Sequence, residues 1–140
     1  MRSTRRTISP TGANLSNHIV LSNDGGETFE PAIDTGIRGQ ASNLLSLGGG
    51  KALTIHSHRE APVGLIVRRV DLNGGLTVEE ELNLFADAAM GSDSADIKKQ
   101  FGSLKFGQPS LLRLQNGEIY AACWSFENGQ YVIKGYRIAA

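Results

Sequence analysis

Leu21-Ser22-Asn23-Asp24-Gly25-Gly26-Glu27-Thr28-Phe29 reads over Val70-Asp71-Leu72-Asn73-Gly74-Gly75-Leu76-Thr77-Val78 at an offset of 49 residues. The glycine pair and the threonine coincide, and Asp24 falls over Asn73. Adjacent glycines supply the positive φ that tight hairpin turns demand, and an Asp or Asn ahead of them bonds its own backbone across the turn. Each copy is therefore expected to be a glycine-pinned corner between two strands. A second correspondence agrees. Gly39-Gln40-Ala41-Ser42-Asn43-Leu44-Leu45-Ser46-Leu47 resembles Gly107-Gln108-Pro109-Ser110-Leu111-Leu112-Arg113-Leu114 with one gap, and each is followed by a glycine turn and another apolar strand. A period near 50 with four short strands per unit is the size of a β-propeller blade, roughly 40–50 residues. A glycine-rich β-sandwich with chance internal likeness is the alternative.

Outward from these corners the chain reads as short strands ended by turn signals. The expected strands are His18–Ser22, Thr28–Ile33, Ala41–Leu47, Ala52–Ser57, Gly64–Val70, Thr77–Leu84, Ser110–Leu114, Glu118–Ser125 and Tyr131–Ile138. The long connection Ala86–Phe106 interrupts them, with one helical turn expected over Ala95–Gln100. Gly64-Leu65-Ile66-Val67 and Ile119-Tyr120-Ala121-Ala122-Cys123-Trp124 are apolar at consecutive positions. A sheet with one face in water would alternate, so these strands belong to sheets covered on both sides.

Composition narrows the function classes. The 140 residues carry 14 Lys+Arg against 14 Asp+Glu, so net charge gives no electrostatic case for nucleic acid. With 40% hydrophobic and 20% charged residues, the chain is a folded domain. The lone Cys123 excludes an internal disulfide and reads as a small buried thiol. The basic N-terminus has no apolar stretch behind it, and no run approaches the ~20 residues of a membrane span. A cytoplasmic location follows as the expectation, with an upstream signal beyond the reach of this test.

Ser22-Asn23-Asp24-Gly25-Gly26-Glu27-Thr28-Phe29 resembles an Asp box, the S-x-D-x-G-x-T-W hairpin of bacterial sialidases and BNR-repeat proteins. Phe29 stands where that family prefers Trp. Asp71–Val78 resembles a worn second copy, with Asn73 for Asp and Val78 for the aromatic. Asp34–Gln40 looks like a link into a new blade. His58-Arg59 ahead of Pro62-Val63-Gly64-Leu65-Ile66 is similar to the family's R-x-x-P-x-G-I segment, and Phe106–Ser110 with Leu114–Ile119 resembles a closing blade. The likeness runs from about Asn17 to Ile138. It implies an all-β fold, an incomplete β-propeller of about three four-stranded antiparallel blades from a six-bladed sialidase-like ring. Residues 1–16 would be an N-terminal extension, 17–34 half a blade, 40–85 a full blade and 107–139 a last blade lacking its outer strand. The expected role of the box is structural. Ser22, Asp24, Gly26 and Thr28 would hold the turn, and Phe29 would plug the blade.

On such a ring, the links between blades and the loops between second and third strands open on one face, where family substrate sites lie. They contribute Arg38, Gln40, Lys105 and Gln108 from the links, and His58, Arg59, Glu60 and Glu127 from the loops. The resemblance implies three arginines on a substrate carboxylate, a tyrosine–glutamate nucleophile pair and an acid/base aspartate. A guanidinium suits a carboxylate because its planar fork matches both oxygens. Arg59 is the first candidate and Arg38 the second, with His58, Gln40 and Gln108 beside them as substrate-binding residues. No catalytic residue is assignable, and Tyr136 reads as packing. His56 and His58 share one strand face but lack an identifiable third ligand, so no metal or cofactor is expected. Glu79-Glu80-Glu81 reads as charge on an outer strand, and Trp124 and Phe126 as blade packing, with sugar stacking the alternative. The functional expectation is a part of a sialidase-like glycoside hydrolase, acting on sialic-acid-type or other terminal sugars when completed by missing N-terminal blades. The alternative is a non-catalytic carbohydrate-binding or structural module that assembles as a homo-oligomer. Neither reading involves nucleic acid or membrane.

Overall fold

The structure is a computed structural model that describes residues 2–8, 14–85, 87, 90–91 and 104–139. Among the described residues, ten strands form three antiparallel sheets, none of them closed, and no α-helix occurs. The first sheet holds β1 (Arg2–Ile8), β2 (Asn14–Leu21) and β3 (Ile33–Asp34), in the order β1-β2-β3. The middle sheet is a four-stranded meander of β4 (Gln40–Gly48), β5 (Lys51–His58), β6 (Gly64–Asp71) and β7 (Thr77–Asn83). The last sheet runs β8 (Phe106–Arg113), β9 (Ile119–Glu127) and β10 (Gln130–Ile138).

Most expected strands lie within two residues of the observed ones, β2 and β8 begin four residues before the expected His18 and Ser110, and two regions differ further. Residues 2–8, read from sequence as an extension, form an edge strand whose register on β2 runs from Arg2↔Leu21 to Ile8↔Asn14. Its β-branched Thr4, Thr7 and Ile8 suit a strand despite three arginines. The strand expected over Thr28–Ile33 shrinks to Ile33–Asp34. Pro31 has no N–H for the ladder, and the Asp-box turn extends to Glu30, whose N–H bonds Leu21 O at 2.8 Å. The helical turn expected over Ala95–Gln100 lies outside the described residues.

Strand alternation explains why the middle sheet is buried on both sides. On β5, Leu53 and Ile55 point one way and pack with Leu65 and Val67 of β6 against Ile119, Ala121 and Cys123 of β9. Ala52 points the other way and packs with Val70 and Leu72 against Ile19 of β2. The three sheets therefore stack face to face. The approach is closest at the edge strands β4 and β8, where Asn43 Oδ1 accepts the Leu111 N–H at 3.3 Å and Arg113 reaches Ser46 O at 3.3 Å. Farther out, a crevice of about 290 Å³ opens between the β6–β7 pair and the end of β10, lined by Leu53, Val67, Leu82 and Ile138. Adjacent sheets thus meet at one edge and diverge at the other.

Both quoted repeats become corners at the same place in their sheets, joining β2 to β3 and β6 to β7. Gly25 and Gly26 take φ of 78° and 100°, and Gly74 and Gly75 take 74° and 143°. The first corner is held by side chains. Asp24 accepts the Thr28 N–H on both oxygens at 3.0 Å and also its hydroxyl, while Ser22 Oγ accepts the Gly26 N–H at 2.8 Å. The hydroxyl and then the N–H of Thr28 hold the Asp24 carboxyl far below the usual carboxylate range. In the second corner the carboxylate moves to the first position. Asp71 accepts the Asn73 N–H at 2.8 Å, and Asn73 turns outward to bond Gly49 O at 2.9 Å. Phe29, expected to plug the blade, is 46% exposed. Its position just past the turn, in a segment that forms no strand, leaves the ring on the rim.

Candidate functional site

Strand directions separate scaffold from site. The β6–β7 corner and the Gly48–Gly50 turn lie at one end of the middle sheet, where Asn73 bonds Gly49 O. The segments after β3 and after β5, the start of β8 and the end of β9 therefore collect at the other end. Two distinct environments form there.

The first is a cleft of about 470 Å³ between the first and middle sheets. Arg38 lines it from the β3–β4 link, His58 and Glu60 from the β5–β6 loop, Arg68 from β6 and Glu81 from β7. Asn17 builds its wall. Its side chain donates to Ile37 O at 3.1 Å and Gly39 O at 3.4 Å, and its carbonyl accepts the Thr35 hydroxyl at 2.7 Å. Gly39 passes so close to His56 that a Cβ there would sit 2.8 Å from the histidine Cβ. These contacts fix the link that carries the exposed Arg38.

Charge inside the cleft is arranged asymmetrically. Arg68 is buried, its Nε donates to Glu81 Oε2 at 2.7 Å, and its Nη1 has no hydrogen-bond partner among the described residues. Burial first, and the Arg68 charge second, push the His58 pKa down to about 4 and that of His56 down to about 3. Both imidazoles are neutral at pH 7, so His58 offers one donor and one acceptor. Its Nε2 is buried and lacks a partner among the described residues. An exposed arginine, a buried one, a neutral imidazole and two carboxylates thus make this cleft polar.

The second environment joins the middle sheet to the last. Arg59 is only 6% exposed; its Nη2 donates to Phe106 O and its guanidinium lies 5.3 Å from the Phe106 ring centre. A Cβ at Gly107 would meet Arg59 Nη2 at 2.5 Å, so glycine is needed for this seat. Phe85 packs edge-on against Phe106 with ring centres 5.2 Å apart, and Lys134 covers Phe85 at 4.7 Å. Lys134 also pairs with Glu127, whose carboxyl it holds below the usual range. Tyr136 packs on the adjacent apolar core.

The substrate-binding residues expected from sequence therefore divide. Arg38 and His58 meet in the cleft, whereas Arg59 sits one sheet interface away in an aromatic clasp. Gln40 pairs with Ser57 through the ladder, and its side chain lies outside the described residues. Gln108 is exposed in the bulge between Gly107 and Ser110, with φ of 46°. Non-glycine residues occupy that region at a cost of roughly 1–3 kcal/mol. Arg68, Glu81 and Asn17 went unrecognised in the sequence. A doubled arginine inside a strand buried on both faces was the available signal, because a buried guanidinium requires a partner.

These observations define the class: an all-β stack of open antiparallel sheets with a polar cleft at one end. A crystal structure of an unknown-function protein from Dyadobacter fermentans DSM 18053 is similar in fold, with a TM-score of 0.65 at 20% identity over 97% of this chain. This chain spans 34% of the length of that protein. No family model matches the sequence, and no curated protein matches it. No helix among the described residues is long and apolar enough to cross a membrane.

Proposed function

We propose that the chain is about three blades of a sialidase-like β-propeller, and that the Arg38–His58–Arg68 cleft binds a terminal acidic sugar. The observation that carries this reading is the pair of glycine-pinned corners, which join β2 to β3 and β6 to β7 in stacked neighbouring sheets. The meeting of β4 with β8 and the crevice that opens away from them favour blades radiating from an axis over a flat sandwich. The similar solved structure is about three times as long, which leaves room for further blades in a protein of this fold.

In this reading the sugar carboxylate lies on the exposed Arg38, with the buried Arg68 charge behind it, and the ring hydroxyls bond His58 and Glu60. Hydrolysis requires further blades. The described residues favour binding without turnover, because Arg59 is committed to Phe106, Glu127 to Lys134 and Tyr136 to the core. Calorimetric titration with a sialylated and a neutral trisaccharide tests the proposal. We expect binding of the acidic sugar alone, weakened at least tenfold by Arg38→Ala with an unchanged melting temperature, and no cleavage of a fluorogenic sialoside. Absence of binding to either sugar at millimolar concentration overturns it.

A further inference from the structure

Strand pairing places Tyr120, Trp124 and Phe126 of β9 on the side of the last sheet that faces away from the middle sheet. Tyr131 and Ile133 of β10 and Leu112 of β8 join them there. The aromatics form one group, with Tyr131 5.9 Å from Trp124 and 4.9 Å from Phe126 between ring centres. Tyr120 reaches over Gly135, where any side chain would displace its hydroxyl. Tyr131 is 73% exposed and Ile133 79%. Together these side chains leave on the order of 600 Å² of apolar surface in water, the upper end of the largest patch on an ordinary monomer.

Charge indicates what can cover this face. Arg137, at one margin opposite Tyr120, is the one charged residue that β8, β9 and β10 place on it. Glu127 and Lys134 point to the other side and pair with each other. With no carboxylate and one guanidinium at its margin, the face offers a charged partner little ion pairing, and an apolar surface like itself matches its area. The middle sheet gives the precedent within this molecule, since its two faces are apolar in places and each is covered by a neighbouring sheet.

We propose that this face is covered by the same face of a second copy of the chain, the two last sheets stacking about a two-fold axis. Such a contact is self-complementary, as a two-fold interface must be. Two patches of this size bury about 1,200 Å², the lower end of specific interfaces, so the dimer should dissociate on dilution. The inference is independent of the sugar cleft, which lies at the opposite sheet interface, and it concerns the 140-residue chain by itself, since a further blade stacked on this face would take the second copy's place.

Light scattering on the full 140-residue chain across a hundredfold dilution in the micromolar range tests it. The expected result is a two-chain mass that falls to one chain as concentration drops. The double substitution Tyr131→Lys with Ile133→Lys should give one-chain mass at every concentration, with a cooperative melt retained because both side chains are exposed. Should that variant unfold, Leu112→Lys, at the other side of the patch, should shift the same equilibrium. A wild-type chain that stays single throughout overturns the proposal. So does a dimer that survives the folded variants, or a mass that grows without limit as open-ended stacking would.

Discussion

Toward β8–β10 the middle sheet presents Leu53, Ile55, Leu65 and Val67; toward β1–β3 it presents Ala52, Thr54, His56, Ile66, Arg68 and Val70. Both faces are buried; the first is apolar through Leu53, Ile55, Leu65 and Val67, with Ser57 at one end and Arg69 and the Lys51–Asp71 pair at the other. The second keeps more polar atoms out of water without hydrogen-bond partners among the described residues, Thr54 Oγ1, His56 Nδ1, His58 Nε2 and Arg68 Nη1 against Ser57 Oγ and Arg69 Nε on the first. Burying such atoms costs free energy that an apolar face does not spend. The first interface is therefore the clamp of the stack, and the second gives up cohesion to line a cleft.

The largest expected effect tests the clamp. Ile55 is fully buried in the cluster that joins the middle and last sheets. Ile55→Ala should lower unfolding stability by about 2–5 kcal/mol in a urea titration, through lost burial and the cavity left behind. A loss below about 1 kcal/mol would mean that the two faces do not differ as described.

A smaller effect tests the other interface by pH. His56 has its folded pKa near 3 against 6.5 when unfolded, with burial the main cause and the Arg68 charge the next. Arg68 and His58 are the charged and titratable groups that act on it. Above pH 6.5 both states are neutral there and no stability depends on pH. Below it the unfolded chain binds the proton first, so stability falls as pH drops toward the folded value. The slope is about 1.4 kcal/mol per pH unit, or about 2 kcal/mol from His56 at pH 5. Asp24, Asp34 and Asp71 have lowered pKa values from an ordinary 3.8, so their contribution is present above that pH and lost below it. The window from 6.5 to 4 thus belongs mainly to the histidines. Denaturant titrations at pH 7 and pH 5 should show the loss, and His56→Leu should remove a large part of it. A wild-type stability that stays level between those pH values would contradict the burial of His56.

What the sequence revealed and what it concealed follow the same division. Turns and strands were legible, because Gly25-Gly26, Gly74-Gly75 and Asn128-Gly129 take the positive φ that glycine and asparagine favour in turns. Consecutive apolar residues in β5, β6 and β9 announced sheets covered on both sides. The β1 strand was hidden by its charge, since Arg2, Arg5 and Arg6 read as a basic arm until β2 supplies a ladder. The cleft was half legible. Arg38 and His58 were picked out by their place in connections, but Arg68 becomes intelligible only beside Glu81, its cross-strand partner. That pairing is a matter of register, which one sequence does not display. Arg59 shows the converse: a charged residue in a loop suggests a ligand, and here the partner is the carbonyl and ring of Phe106.

The smallest effect concerns one hydroxyl on each side of the corner-and-core divide. Thr54 is buried on β5 with no hydrogen-bond partner for its Oγ1 among the described residues, so it bears desolvation without return. Thr54→Val keeps the shape and the β-branch and removes the polar atom. It should leave stability unchanged or raise it by up to about 1 kcal/mol. Thr28→Val makes the same exchange where the hydroxyl is bonded to Asp24, and it should lower the melting temperature. Opposite signs for one chemical change would place the difference in the surroundings and not in the residue. If Thr54→Val instead destabilises by more than 1 kcal/mol, its hydroxyl has a partner, and the interface toward β1–β3 is better satisfied than its geometry indicates.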